Sequence, residues 1–324
     1  MTWLPDETLA HLRGVVGDAA ADAPPDLRGT PYELREMLGR GGMGTVYLAW
    51  DRELAREVAL KVVHAEAAAA LAHRVVREAR TLARLEHPGI VPVHDVGELP
   101  DGRIYYVMKR VRGERLDAAL RAMPSLAERL GVFERICEAV AFAHAHGVVH
   151  RDLKPENVML GEFGETLVLD WGAAKTLGDA PAPGLLPDDA SGRTPITGHG
   201  MVIGTPGYMA PEQARGDSAD VDARADVYSL GAMLRELVRP PEGGGDVSRP
   251  LRAIIAHAMA PSPDERYPTA DALAEDVRRA RDGESVSVYR ENLFERAGRL
   301  MMRYRVPLLL VLTYLAMRVV LLLL

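Results

Sequence analysis

Alternating apolar and polar positions begin at Tyr32 and predict the first regular elements. YELREMLGRGGMGTVYLAWD reads as strand, glycine turn and strand, and REVALKVV as a third strand. The period then lengthens. In RVVREARTLARLE, residues Val75, Ala79, Leu82 and Ala83 share one helical stripe. IVPVHDVGE and RIYYVMKRV return to strand spacing, and beyond Arg115 helical spacing dominates, broken by short strands around VVHRD, NVML and TLVLD. A strand-rich portion followed by a helix-rich one predicts an α+β fold of two lobes with a cleft between them. No internal repeat is visible.

Three stretches carry no such period. Residues 1–31 form a polar leader with room for one short helix, ending in the turn-rich APPDLRGTP. Residues 178–200, GDAPAPGLLPDDASGRTPITGHG, predict a long loop of the kind that is functional or disordered. RPPEGGGDVSRP, residues 239–250, is a second loop. By contrast Val306–Leu324 is almost wholly apolar over 19 residues, close to the ~20 that span a bilayer. Its thirteen Leu and Val side chains favour insertion by roughly 4–8 kcal/mol, against about 2.5–3.5 for a central Arg318. Insertion wins on that count, and a run without a polar face does not read as a buried amphipathic helix. Arg296, Arg299, Arg303 and Arg305 precede the run, so the expected topology is single-pass in the cell membrane with the N-terminal side cytoplasmic.

With 48% hydrophobic and 26% charged residues the chain is an ordinary globular one, and its net charge of −7 argues against nucleic acid as a partner. The single cysteine, Cys137, excludes an intramolecular disulfide and reads as a packed core thiol. The opening MTWLPDETLAHLRG lacks the basic start and apolar stretch of a secretory signal.

The densest charges sit in VVHRDLKPENVML, where His, Arg, Asp, Lys, Glu and Asn are packed between two apolar runs. Charges there need partners or chemistry. One reading is a solvated turn. The other is a phosphoryl-transfer loop, with Asp152 taking a hydroxyl proton, Lys154 offsetting phosphate charge and Asn157 holding a metal. Upstream, GRGGMGTV spaces Gly39, Gly41 and Gly44 as G-x-G-x-x-G, letting the backbone close over phosphates while Val46 covers a flat purine. A strand follows these glycines, where a dinucleotide fold would start a helix. Lys61 comes fifteen residues after Val46, on a strand facing the same cleft, and Glu78 on the predicted helix is placed to pair with it.

Downstream lie Asp170-Trp171-Gly172, then GTPGYMAPE, DVYSLG and PDERY. This order, over about residues 32–282, resembles the eukaryotic-type serine/threonine protein kinases, and most closely their bacterial membrane-anchored group. The resemblance implies an N-lobe over 32–111, a C-lobe over 112–282, a basic juxtamembrane segment over 283–305 and a membrane helix over 306–324. It implies ATP and Mg2+ as cofactors, with Mn2+ as an alternative, and protein substrates. Leu38, Gly39, Arg40, Gly41, Gly42, Met43, Gly44, Val46, Ala59, Lys61, Met108 and Val111 would surround ATP. Lys61 would contact phosphates and pair with Glu78, Asp152 and Lys154 would act at the transferred group, and Asn157 and Asp170 would hold the metal. Thr205 would lie beside the acceptor. Thr197, with Thr194 second, would be phosphorylated in the long loop and pair with Arg151. Glu212, Asp226 and Arg266 would be structural.

Trp171 stands where the family usually has Phe, which predicts intact metal chemistry and altered switching. Lys109 and Arg110 replace the usual acidic-aromatic hinge pair, with little effect because adenine contacts there are mainly backbone. A pseudokinase or membrane scaffold is the alternative function, and it predicts loss of Lys61, Asp152, Asn157 or Asp170; none is lost. A small-molecule kinase is a third reading, disfavoured by the platform segment GTPGYMAPE. Finally, the family usually places a further helix between those near Val238 and Arg252, and RPPEGGGDVSRPL cannot form it. Leu230, Met233, Leu234 and Leu237 are therefore expected to form an uncovered stripe, to be met by a homodimer or another partner, the alternative being that the connecting loop folds back over it.

Overall fold

A computed structural model describes residues 24–41, 44–64, 85–171, 175–176, 207–215, 221–239 and 246–292, with scattered residues between 296 and 318. Its first lobe is an antiparallel sheet of β1 (Tyr32–Gly41), β2 (Gly44–Asp51), β3 (Arg56–Val63), β4 (Val93–Glu98) and β5 (Ile104–Lys109), in the order β1-β2-β3-β5-β4. Pairing fixes what each face carries. Val46 opposes Lys61, which opposes Tyr106; Leu48 opposes Ala59, which opposes Met108. Because side chains alternate along a strand, these six share the face turned to the cleft. The other face supplies Ala49, Val58, Leu60, Val62, Tyr105 and Val107, which close a small core with Tyr32 and Leu99.

Below the sheet run β6 (Gly113–Arg115), α1 (Leu116–Ala119), α2 (Leu126–Ala145), β7 (Val148–Val149), β8 (Val158–Gly161), β9 (Thr166–Val168) and β10 (Lys175–Thr176). Strands β6, β8 and β9 form one small sheet, and β7 pairs with β10. The chain continues through α3 (Pro211–Ala214), α4 (Ala223–Leu237), α5 (Arg249–Ala258) and α6 (Ala270–Arg281). The lobes are stitched at Gly89–Val91, where Val168 N–H donates to the Gly89 carbonyl at 2.8 Å and Ile90 bridges Val168.

The helices start where side chains can cap them. Ser125, Asp222, Ser248 and Thr269 each accept a backbone N–H from the first turn of α2, α4, α5 and α6. Helix α2 then buries Leu130, Phe133, Ile136, Cys137 and Val140 at helical spacing in the main core. Burial pushes the Cys137 thiol well above its ordinary pKa, which leaves it unreactive.

The expected uncovered stripe is not there. Leu230, Met233, Leu234 and Leu237 are all fully buried. The reason is that α5 starts at Arg249, directly after the glycine-rich connection, with Pro250 in its first turn where proline is tolerated. It lays Leu251, Ile254 and Ala258 into the same core as the stripe. A Cβ built on Gly231 would come within 2.7 Å of the Ala258 Cβ, so the two helices touch at a glycine. The α4 end is closed by Arg129, whose guanidinium donates to the carbonyls of Leu237 and Arg239 at 3.2 and 3.4 Å. The surface on which a homodimer was expected therefore does not exist.

Candidate active site

The charged loop between β7 and β8 is held from beneath by one carboxylate. Asp226, fully buried on α4, accepts the backbone N–H groups of His150 and Arg151, each at 2.8 Å, and the His144 imidazole at 2.8 Å. Burial alone would raise the pKa of Asp226; His144 and the loop N–H groups outweigh it and hold the carboxylate below its ordinary value. Through these bonds Asp226 ties α4 to the loop. Arg151 sits at φ 71 and Asp170 at φ 52, backbone conformations that cost side-chain-bearing residues about 1–3 kcal/mol and are held only by surrounding contacts.

On that base Asp152 is oriented on several sides. Its Oδ2 accepts from Lys154 Nζ at 2.7 Å and from Asn157 Nδ2 at 3.1 Å, and Asn157 Nδ2 also donates to the Asp152 carbonyl at 2.7 Å. The Asp152 N–H donates to His150 Nδ1 at 3.2 Å, which fixes the tautomer: the other nitrogen carries the proton and donates to the Leu169 carbonyl at 2.9 Å. Since the Asn157 amide nitrogen is committed to Asp152, its oxygen is the end left for a cation.

Across the cleft Lys61 donates to the Asp170 carboxylate. Burial would depress the Lys61 pKa, but the neighbouring Tyr106 hydroxyl and Asp170 carboxylate outweigh it and hold the ammonium above the usual lysine range. Lys61 in turn holds Asp170 below the ordinary carboxylate value, against the opposing effect of burial. Glu78, the expected partner of Lys61, lies outside the described residues, as do Gly42, Met43, Thr194, Thr197 and Thr205.

Trp171 belongs to the main core. It is buried, packs against His150 with ring centroids 4.6 Å apart and the planes inclined at 53°, and donates its indole N–H to the Val168 carbonyl at 3.3 Å. The unusual hinge is explained on its outer side. Arg110 and Arg112 both donate to Glu57, the latter at 3.0 Å, and Lys109 lies 3.9 Å from Glu165.

Away from the cleft, Glu212 and Arg266 form a buried ion pair. Arg266 meets Glu212 through two parallel hydrogen bonds of 2.7 and 2.8 Å, and donates further to the carbonyls of Ala260, Arg224 and Pro261. Its guanidinium also lies 5.0 Å from the Tyr228 ring centroid. Burial works against the Glu212 charge, yet Arg266 keeps its pKa below the usual value.

Residues not singled out in the sequence complete the site. Gln213 Nε2 donates to the Arg151 carbonyl at 2.9 Å, tying α3 to the charged loop. Its position directly after Ala210-Pro211-Glu212 was the only available signal.

The donor set fits a phosphate-bound divalent cation. Among the described residues no cluster of three or more His, Cys, Asp or Glu could hold a metal alone. Mg2+, however, is usually bound by one or two protein oxygens together with phosphates. Asp170 and Asn157 supply that number. The glycines fit a nucleotide too. Among the described residues, a Cβ on Gly39 would meet nothing within 4 Å and one on Gly41 only the Gly44 carbonyl at 3.9 Å, so the described packing demands neither glycine. Half-buried Val46 and Met108 and buried Ala59 line the apolar part of the cleft on the shared sheet face, with Val111 at the hinge; Leu38 and Arg40 are exposed on β1.

A two-lobed fold whose cleft brings together a lysine on a sheet, the Asp170 carboxylate it meets and an aspartate positioned by a lysine and an asparagine has the arrangement of a protein kinase. The description "Protein kinase domain" matches residues 32–276, and the chain belongs to that family. It is 37% identical over 285 residues to serine/threonine-protein kinase PknB of Mycolicibacterium smegmatis, covering 78% of this chain and 43% of that protein. It is 38% identical over 284 residues to PknB of Mycobacterium tuberculosis, with the same shares covered. PknD of Chlamydia abortus is 33% identical over 299 residues, 78% of this chain and 31% of its own length. The chain thus spans less than half the length of these curated relatives.

Proposed function

We propose that this chain transfers the γ-phosphoryl group of ATP to serine and threonine hydroxyls of proteins, its own loop included. The observation that carries this is the setting of Asp152: its carboxylate is oriented by Lys154 and Asn157 on a loop that Asp226 pins from below. A hydroxyl presented there loses its proton to Asp152 as its oxygen bonds to phosphorus, while the Lys154 ammonium offsets the charge on the moving phosphoryl group and ADP leaves. Lys61 orients the nucleotide phosphates. Mg2+ or Mn2+, held by Asn157 and Asp170, would neutralise charge on those phosphates. Lysine two residues after Asp152 supports serine/threonine over tyrosine acceptors. Labelled phosphate incorporation by the full chain should fall by at least about 100-fold in Asp152→Asn. Full activity in that variant would end the mechanism.

Thr197, followed by Thr194, is the proposed autophosphorylation site, where a phosphate would pair with Arg151 and order the loop. Phosphosite mapping that finds modification only outside residues 176–205 would overturn it.

The C-terminal run is proposed as a membrane anchor with the kinase domain cytoplasmic. Among the described residues no helix is long and apolar enough to cross a membrane, and most of Val306–Leu324 lies outside them. Support comes from its apolar composition and from Leu309, Leu310, Val311, Tyr314 and Met317, each more than half exposed.

A further inference from the structure

The ammonium of Lys61 has a second described neighbour besides Asp170. Tyr106 lies directly opposite Lys61 in the β3–β5 register, on the same sheet face. Lys61 Nζ is 5.7 Å from the Tyr106 ring centroid, within cation–π reach. Both residues are buried, at 5% and 9% exposure, so water does not weaken this contact as it would at the surface. The nearest residues of this face on the flanking register positions, Val46, Leu48, Ala59 and Met108, are apolar. A buried phenol among them requires a polar neighbour, and the ammonium is beside it.

The two partners of Lys61 differ in kind. Asp170 sits on a turn at φ 52 and is also the carboxylate available to a cation. Engaging a cation draws its charge away from the lysine. Tyr106 sits in the middle of β5, held in place by pairing to both β3 and β4.

We propose that Tyr106 is a positioning residue for Lys61: its ring face and hydroxyl keep the ammonium turned into the cleft when Asp170 is engaged elsewhere. This rests on the reading that Lys61 contacts nucleotide phosphates. It also gives Lys61 a partner within the sheet itself, independent of Glu78.

The test is a double-substitution cycle in the full chain, read as Mg·ATP affinity by calorimetry and as kcat and KM for ATP. Tyr106→Leu removes the ring and hydroxyl; Tyr106→Phe removes the hydroxyl alone and is close to isosteric. With Lys61 present, Tyr106→Leu should weaken nucleotide binding about 3- to 10-fold and Tyr106→Phe about threefold or less, a size set by cation–π energies. In the Lys61→Met background either substitution should change affinity by less than about twofold. Equal losses in both backgrounds would mean that the tyrosine acts only through the fold, and would overturn the proposal. So would unchanged affinity and unchanged KM in Tyr106→Leu while Lys61→Met loses binding. If Lys61→Met itself binds nucleotide normally, the phosphate-contact reading fails and takes the proposal with it. Should Tyr106→Leu not fold by thermal melt, the Tyr106→Phe pair decides through the same background comparison.

Discussion

Two glycines three residues apart in the same turn have opposite reasons to be glycine. A Cβ on Gly44 would lie 2.4 Å from the Val62 carbonyl oxygen, a backbone atom that cannot move aside. Gly44→Ala should therefore destabilise the N-lobe by about 1–3 kcal/mol, read as a lower melting temperature. Gly41→Ala meets no described atom closer than the Gly44 carbonyl at 3.9 Å, and should melt like the parent while binding Mg·ATP more weakly. If Gly41→Ala also loses stability, the glycines serve only the sheet. The motif spacing was legible in the sequence; which glycine answers to protein and which to ligand was not, because that depends on the β2–β3 register. The same holds for Tyr106, whose place opposite Lys61 appears only once β3 and β5 are paired. Residues whose roles are encoded by neighbours in the chain, such as Asp152, Lys154 and Asn157, were readable directly.

Between elements, the strongest tie is Arg266 with Glu212, joining the segment before α6 to α3. Removing one charge strands the other in the interior, so Glu212→Gln should cost about 3–5 kcal/mol at neutral pH. The folded state holds the Glu212 pKa below its unfolded value, so this stability is present above the unfolded pKa and fades as the pH falls through the folded one. The gap between parent and Glu212→Gln in denaturant melts should shrink on acidification below about pH 4.5. A constant gap would assign the contribution to shape and not to charge. Asp226→Ala should act on a different link, releasing the His150 and Arg151 amides. Their hydrogen exchange should speed up relative to the rest of the core, together with loss of phosphate transfer. Where sequence reasoning failed, it failed at this scale. The periodicity of Leu230, Met233, Leu234 and Leu237 correctly marked an apolar face, but its cover comes from α5, which lies close only because the preceding connection is short.

For the molecule as a whole, the two lobes and their order were legible because the hydrophobic period changes from strand to helix near Arg115. Membrane attachment belongs to this scale too. The full chain should pellet with membranes and resist carbonate extraction, whereas a chain ending at Glu291 should stay in the supernatant. Protease added from the cytoplasmic side should digest the kinase domain; protection of that domain would reverse the proposed topology. The chain after α6 is held onto the C-lobe up to this point, since Ser287 bonds Asp276 through both its N–H, at 2.9 Å, and its hydroxyl, at 2.6 Å. The truncation therefore removes the tail without opening the core.

The indole of Trp171 gives the chain an optical reporter where related kinases carry a phenylalanine. Only two other tryptophans are present, Trp3 and Trp50, and Trp50 is a half-buried ring on β2 beneath the Arg35 guanidinium. With both replaced by Phe, the remaining fluorescence comes from a ring sealed in the core against His150. Its emission should be blue-shifted at rest and should move to the red if the Asp170-Trp171-Gly172 turn swings out. Titration with nucleotide and metal would then record the position of Trp171 in real time, without an attached dye.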